Sequence, residues 1–255
     1  ILHKYKIQAN KSLGQNFLVD DNVIDEIIRS SNINKQDLII EIGPGLGVLT
    51  NRLLQEANNI IAVELDKRMV NILQDRFIIN INGQAESKLE IINEDVLKIN
   101  LNEIIVEKRK QTEIKNVKIV ANLPYYISTP IIMKLLENRL DIDEIIVMVQ
   151  KEVAERLTAK TGTRLAGAIT YAVEYYSDAT GIIKVSKESF VPSPKVESEV
   201  IKLKVRKDKK IQVKDEKLLF NIISKSFMQR RKTLSNVLIN NNIMHSKGDV
   251  KNMWK

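Results

Sequence analysis

The sequence predicts an α/β fold, a mostly parallel sheet of about seven strands with helices on both faces, followed by a small helical domain. Three observations predict it. Short apolar runs at 38–42, 60–64, 89–93, 118–122 and 144–149 alternate with helical patterns such as 67–77 and 129–138, and strand–helix alternation implies parallel strands joined by crossovers. The runs read as apolar throughout, as a sheet buried on both faces requires. From Lys207 the pattern changes to helical periodicity with no further strand.

At 255 residues the chain can bury one large domain and a small one. There is no cysteine, so disulfides, cysteine nucleophiles and thiolate zinc sites are excluded. The two histidines, His3 and His245, lie near the ends, and no metal is expected. No apolar run approaches a membrane span, and no secretory leader is visible. The net charge is +8. Residues 1–206 carry 28 Lys and Arg against 28 Asp and Glu, whereas residues 207–255 carry 12 against 4. A basic module on a neutral body suits a polyanionic partner, most simply nucleic acid, although a solvated tail has the same composition.

In chain order, the opening is basic and polar, and its GQNFL stretch lies where it can fold over the loop after the first strand. By composition alone Gln15, Asn16 and Phe17 serve equally as a structural lead-in. A helix follows, with apolar residues at 23, 24, 27 and 28 and Asp20 or Asp21 placed to cap it. Residues 37–47, DLIIEIGPGLG, read as strand, glycine-rich turn and helix start. Glycine allows a sharp turn and close backbone approach to a ligand, and the next helix points amides at it. A dinucleotide fingerprint requires a third glycine at 48, which is Val48. Glu41-x-Gly43-x-Gly45-x-Gly47 instead resembles motif I of S-adenosylmethionine (SAM) methyltransferases. An acidic residue ending the next strand suits the ribose hydroxyls, and Glu64 stands there. Asp95 and Asn122 end later strands, at the edge where α/β sheets bind ligands. Asp95 suits an adenine amino group, and equally a helix N-cap.

Residues 122–125, NLPY, carry a rationale for methylating an exocyclic amine. The Asn122 side-chain oxygen and the Leu123 carbonyl are suited to accept both N–H bonds of an adenine amine, localising a lone pair otherwise delocalised into the ring. Pro124 stiffens the turn. Tyr125 offers a stacking face, worth about 1–3 kcal/mol. Transfer is then an in-line displacement needing no metal, and positioning supplies most of the rate. The target base must be unpaired or flipped out. As a bare tetrapeptide, NLPY is also an ordinary turn.

Beyond Gln150, two helices are expected around a Thr161-Gly162 turn, then two strands flanking a proline-stiffened loop, SFVPSPKV, that carries Phe190. A charged connection leads into a helical stretch with apolar residues at 218, 219, 222, 223, 227, 234, 237 and 238. Arg230, Arg231 and Lys232 are consecutive and fan around a helix end or turn.

GQNFL, EIGPGLG, VELD, NLPYYIST, QKEVAERL, FVPSPKVESEV and SFMQRRKTLSNVL occur in this order over nearly the whole chain. Together they resemble the KsgA-type dimethyltransferases of small-subunit ribosomal RNA. The resemblance implies a Rossmann-like SAM-dependent methyltransferase fold over 1–206, its seventh strand antiparallel, and a basic helical domain over 207–255. It implies N6,N6-dimethylation of two adjacent adenosines in the 3′-terminal hairpin loop of 16S rRNA, in the cytoplasm, by a monomer acting on a late assembly form of the small subunit. Gln15, Asn16, Leu18, Gly43, Gly45, Glu64, Asp95 and Asn122 are expected to contact SAM. Asn122 and Leu123 are expected to bind the target amine, Tyr125 and Phe190 to sandwich the adenine, and Arg230, Arg231 and Lys232 to meet rRNA phosphate. The Erm-type 23S rRNA methyltransferases share the SAM and NLPY motifs, but QKEVAERL and SFMQRRKTLSNVL favour the KsgA type. DNA adenine methyltransferases typically carry [DN]-P-P-[YF]. A non-catalytic assembly factor on this fold would be expected to have lost some of these contacts.

Overall fold

A computed structural model of the chain describes residues 2–5, 7, 9, 10, 14–78, 80, 81, 84, 85, 88–208, 211–229 and 231–246. After a single helical turn at Leu2–Tyr5 and a two-residue strand at Phe17–Leu18, the chain lays down helix α1 (Asp21–Ser31), in which Val23, Ile24 and Ile27 are buried. Asp20 is the N-cap, its carboxylate accepting from Asn22 N–H, and Asn32 ends the helix in the left-handed conformation. The sheet follows as β1 (Leu38–Ile42), β2 (Asn59–Val63), β3 (Leu89–Ile92), β4 (Val117–Asn122), β5 (Glu144–Gln150), β6 (Ser177–Val185) and β7 (Ser198–Val205). Its order is β3-β2-β1-β4-β5-β7-β6. The first five strands pair in parallel, and β7 runs antiparallel to both neighbours. The predicted seven strands are all present.

Helices α2 (Val48–Glu56), α3 (Lys67–Phe77), α4 (Leu101–Gln111), α5 (Ser128–Glu137), α6 (Lys151–Thr158) and α7 (Ala168–Tyr176) occupy the connections. One apolar cluster, including Ile40, Ile61, Ile119, Ile132 and Val147, packs on one sheet face. A second, including Ile24, Ile39, Leu53, Ile60 and Val120, packs on the other. Central β1 and β4 are buried along nearly their whole length, whereas β3, at the sheet edge, has Glu90 exposed and its isoleucines half-buried. The uniform two-sided burial read from sequence therefore holds for the centre and not for this edge.

Two short pairings were not legible in the sequence. Phe17–Leu18 pairs antiparallel with Phe190–Val191, inside what reads as a lead-in and a loop. Asn80–Ile81 pairs with Gln84–Ala85. The expected C-terminal helical stretch is two helices, α8 (Glu216–Met228) and α9 (Leu234–Asn240). Helix α8 meets α7 through aromatic rings: Tyr171 lies 5.5 Å from Phe227, and Phe220 lies 5.4 Å from both Tyr175 and Tyr176. The Tyr175 hydroxyl donates to Glu216 (2.6 Å), which also pairs with Arg139. Among the described residues no helix is long and apolar enough to cross a membrane.

Lys118 lies in central β4, and only 5% of its surface is exposed. Its ammonium meets Asp37 Oδ2 at 2.9 Å and donates to the carbonyls of Ser31 (2.9 Å) and Asn32 (2.6 Å). One cation thus satisfies the orphan carbonyls ending α1 and a carboxylate at the start of β1. Burial pushes Asp37 up, but hydrogen bonds from Asn116, Lys118 and Asn34 outweigh it and hold the carboxyl below its usual range. Removing one partner strands the other in a dry interior. Lys118→Ala is therefore expected to destabilise the fold by about 3–5 kcal/mol in urea unfolding, and a loss below about 1 kcal/mol would contradict this account.

Candidate active site

The carboxyl ends of β1, β2, β3 and β4 open into one cavity of about 1150 Å³, counting its mouth. It sits where the strand order reverses between β1 and β4, the position that doubly wound sheets use for ligands. Gln15, Asn16, Leu18, Gly43, Gly45, Glu64, Asp95, Asn122, Leu123 and Tyr125 all line it. These sequence-predicted residues span more than a hundred positions, and the fold brings them together.

The glycine turn forms the floor. Gly43, Gly45 and Gly47 all have positive φ, at 68°, 56° and 72°. Gly47 begins α2, and a Cβ there would lie 2.6 Å from Phe77 and 2.7 Å from Leu73 on α3. Arg76 of the same helix donates to the Leu46 carbonyl. The glycine spacing thus answers to the helix packed behind the turn as well as to a ligand. At Gly45, Phe17 of the N-terminal segment would be 3.6 Å from an added Cβ, so this segment does cover the turn.

Glu64, following β2, ties the floor together. Its Oε2 accepts from Gly45 N–H (3.0 Å) and its Oε1 from Asp66 N–H (2.8 Å). Burial pushes the Glu64 carboxyl up, and these backbone donors draw it partly back. Each oxygen retains acceptor capacity for a ligand hydroxyl. Asn93 donates to the Glu64 carbonyl (2.8 Å), and Gln15 donates to Asp66 Oδ2 (3.0 Å). Gln15 therefore orients a neighbouring loop as well as lining the cavity. Deeper lies Glu41, 1% exposed, whose Oε2 accepts from Thr50 Oγ1 at 2.6 Å. Burial raises its pKa to about 8; the Thr50 hydrogen bond opposes the rise and the Glu64 charge adds to it.

Asp95 lines the cavity, and its Oδ1 accepts from Leu97 N–H (2.9 Å) at the start of a turn; it caps no helix, since the N-cap of α4 is Asn100. Lys134 on α5 donates to the carbonyls of Val96 (2.9 Å) and Ile99 (2.8 Å) and fixes that turn; nothing in its sequence context marks it. Asn122 ends β4 and its Nδ2 donates toward the Asn16 carbonyl at 3.4 Å, leaving Oδ1 as the acceptor. Leu123 is buried, its N–H bonded to Met148 O (3.2 Å). Tyr125 is half-buried, its hydroxyl 2.6 Å from Ser198 Oγ. Tyr126 and Leu65, both more than half exposed, add apolar surface at the lining.

The structure does not bring Phe190 to this cavity. It is 3% exposed and sits in the apolar cluster with Leu18, Val185 and Val200. The cause is the short strand pair, which sets Phe190 opposite Leu18. Of the basic trio, Arg231 and Lys232 are exposed in the turn between α8 and α9, away from the cavity lining; Arg230 lies outside the described residues.

The 3-2-1-4-5-7-6 sheet, the glycine turn and the acidic residue ending β2 define a Rossmann-like SAM-dependent methyltransferase. The family model "Ribosomal RNA adenine dimethylase" matches residues 6–252, and the chain belongs to that family. It is 44% identical over 251 residues to the "Ribosomal RNA small subunit methyltransferase A" of Alkaliphilus oremlandii, covering 98% of this chain and 82% of the relative. Among solved structures it resembles a dimethyladenosine transferase from Plasmodium falciparum, with a TM-score of 0.71 and 29% identity, covering 87% of this chain and 74% of that one. The 23S rRNA methyltransferase ErmE shares the fold, with a TM-score of 0.65 and 22% identity over 88% of this chain and 84% of its own.

Two outcomes follow from the floor's geometry. Gly47→Ala is expected to cost about 2–5 kcal/mol by chemical denaturation, about 1–2 from left-handed backbone and about 1–3 from overpacking against Phe77 and Leu73. A neutral effect would mean that α3 yields freely. Glu41 binds its proton more tightly folded than unfolded, so its contribution to stability is full below pH 4.5 and is lost as pH rises towards 8. Glu41→Gln removes that loss, and its stability relative to wild type in ligand-free protein is expected to rise across this window. A difference independent of pH would contradict the assignment.

Proposed function

We propose that this chain transfers methyl groups from SAM to the N6 amines of two adjacent adenosines in the 3′-terminal hairpin loop of 16S rRNA, giving N6,N6-dimethyladenosine during small-subunit biogenesis. The observation that carries the reading is the single cavity joining the glycine turn, Glu64 and Asp95 to the Asn122–Leu123–Tyr125 turn. A cofactor-binding half and an amine-binding half meet at Asn122. The relative named for the small subunit, at 44% identity, favours that subunit over the large one; the ErmE likeness concerns fold alone.

The residues fit SAM. The 43–47 turn presents backbone without side chains, Glu64 retains lone pairs for ribose hydroxyls, Leu65 offers an apolar face for adenine and Asp95 an acceptor for its amine. When bound, SAM supplies an electrophilic sulfonium methyl. Asn122 Oδ1 and the Leu123 carbonyl accept the two N6–H bonds of the target base, rehybridise the nitrogen and aim its lone pair. Tyr125 stacks on the base. Pro124 and the Leu123 N–H bond to Met148 O hold the turn still, so little reorganisation remains at the moment of transfer.

In this reading residues 1–206 hold the chemistry, and residues 207–255 form a basic module. Arg231 and Lys232 meet rRNA phosphate, a sequence-independent contact that weakens with salt. We assign the enzyme to the cytoplasm as a monomer.

The test is transfer of labelled methyl from SAM to small-subunit particles lacking the modification, followed by digestion to nucleosides. Label is expected as N6,N6-dimethyladenosine in the 3′ hairpin, and Asn122→Ala is expected to lower the rate by about 10²-fold or more. Label confined to 23S rRNA, or full activity in Asn122→Ala, would overturn the reading.

A further inference from the structure

We propose that Ser198 is a positioning residue for methyl transfer, acting through Tyr125 by fixing the plane of the ring on which the target base stacks. The inference rests on the proposed role of Tyr125 and extends it to strand β7, some seventy residues away, in the FVPSPKVESEV motif that the cavity otherwise leaves unexplained.

Ser198 is fully buried, and its position is rigid. It begins β7 and is paired with Gln150 of β5 on one side and Val185 of β6 on the other. The preceding residue, Glu197, is held against α6: its carbonyl accepts from Lys151 N–H (3.0 Å) and its carboxylate meets Lys151 Nζ at 2.7 Å. Tyr125, by contrast, sits on the turn between β4 and α5. Pro124 and the Leu123 N–H bond to Met148 O hold the backbone of this turn, but they do not reach the far end of the Tyr125 ring. The 2.6 Å bond between the Tyr125 hydroxyl and Ser198 Oγ ties that end of the ring to the sheet. Burial pushes the phenol pKa up, with the Ser198 bond opposing, so Tyr125 stays protonated and can donate at any working pH.

A stacking face by itself needs no hydroxyl, since phenylalanine presents the same ring. A half-buried phenol does need a partner. The bond therefore serves either only to satisfy the buried Ser198 and the half-buried phenol, or also to set the ring for catalysis. The two uses separate in a double variant. Removing one partner strands the other's polar group, whereas replacing both with apolar groups is close to neutral for stability.

Tyr125→Phe, Ser198→Ala and the double variant are compared with wild type at saturating SAM, by melting temperature, SAM dissociation constant and methyl-transfer kinetics on small-subunit particles. Each single variant is expected to melt lower and to lose about tenfold in kcat with SAM affinity unchanged. The double variant is expected to regain the melting temperature while its kcat stays as low as in either single variant. Full kcat in Ser198→Ala, or recovery of kcat together with stability in the double variant, would reduce the bond to a structural one and overturn the proposal. Tyr125→Ala separates this from failure of the underlying reading. If it too retains full kcat, the stacking role of Tyr125 is wrong; if it is inactive while Ser198→Ala is not, only the positioning role falls.

Discussion

The Glu64 carboxylate is the interaction on which the cavity depends. One side chain at the end of β2 accepts from Gly45 N–H in the turn after β1 and from Asp66 N–H at the start of α3. Asn93, beyond β3, holds the Glu64 carbonyl, and Gln15 reaches the same neighbourhood through Asp66. Three segments far apart in sequence thus converge on Glu64 and the loop that follows it. At 7% exposure that carboxylate needs its donors, because hydrogen bonds to a buried charge contribute about 1.5–3 kcal/mol each and an unpaired one costs more. The loops cannot drift apart without stranding it. The group that closes the floor is also the group suited to a ribose, so cofactor recognition and loop order share one constraint.

The same economy appears at the two ends of α1. Its N-cap carboxylate, Asp20, accepts from Ser189 Oγ at 2.8 Å, next to the Phe190–Val191 strand. Its last carbonyls accept from Lys118 and Lys202; the two lysines share Glu144, and Lys118 also meets Asp37. The helix is therefore fastened to the antiparallel side of the sheet at one end and to the central strands at the other. The short Phe17–Leu18 strand just before it is held over the glycine turn as a consequence. Phe190 is the counterpart of that arrangement: the pairing that positions Leu18 at the cavity also turns Phe190 into the apolar core.

Much of this was legible in the sequence because local and global signals agree. Strand β1 is apolar, ends in glycines and precedes a helical pattern; α3 runs over the expected residues because Asp66 caps it and its apolar spacing fits one face. The cavity residues were legible because strand ends converge in any doubly wound sheet. What was not legible depends on distant partners. The partners of Lys118, Asp37 and the end of α1, are not visible from the strand pattern at 118–122. Phe190 reads as a loop aromatic until its strand partner is known. The break between α8 and α9 falls where the consecutive basic residues read as a helix end or turn, but Thr233, which caps α9 by accepting from Asn236 N–H, looks like any polar residue.

The cavity is electrically asymmetric, and this bears on which way ligands enter. At one end burial drives Glu41 to about 8, with the Glu64 charge adding to the rise, and burial pushes Glu64 up as well. Two acids pressed together in a low-dielectric floor favour a cation above them, since it relieves both desolvation and mutual repulsion. At the other end stand neutral acceptors, Asn122 Oδ1 and the Leu123 carbonyl, beside a protonated phenol. An amine nucleophile must arrive uncharged with its lone pair free, and a carboxylate there would instead stabilise its protonated, unreactive form. The charged end and the neutral end thus suit a sulfonium donor and an exocyclic amine respectively, and exchanging the two would leave each ligand in the environment that disfavours its reactive state.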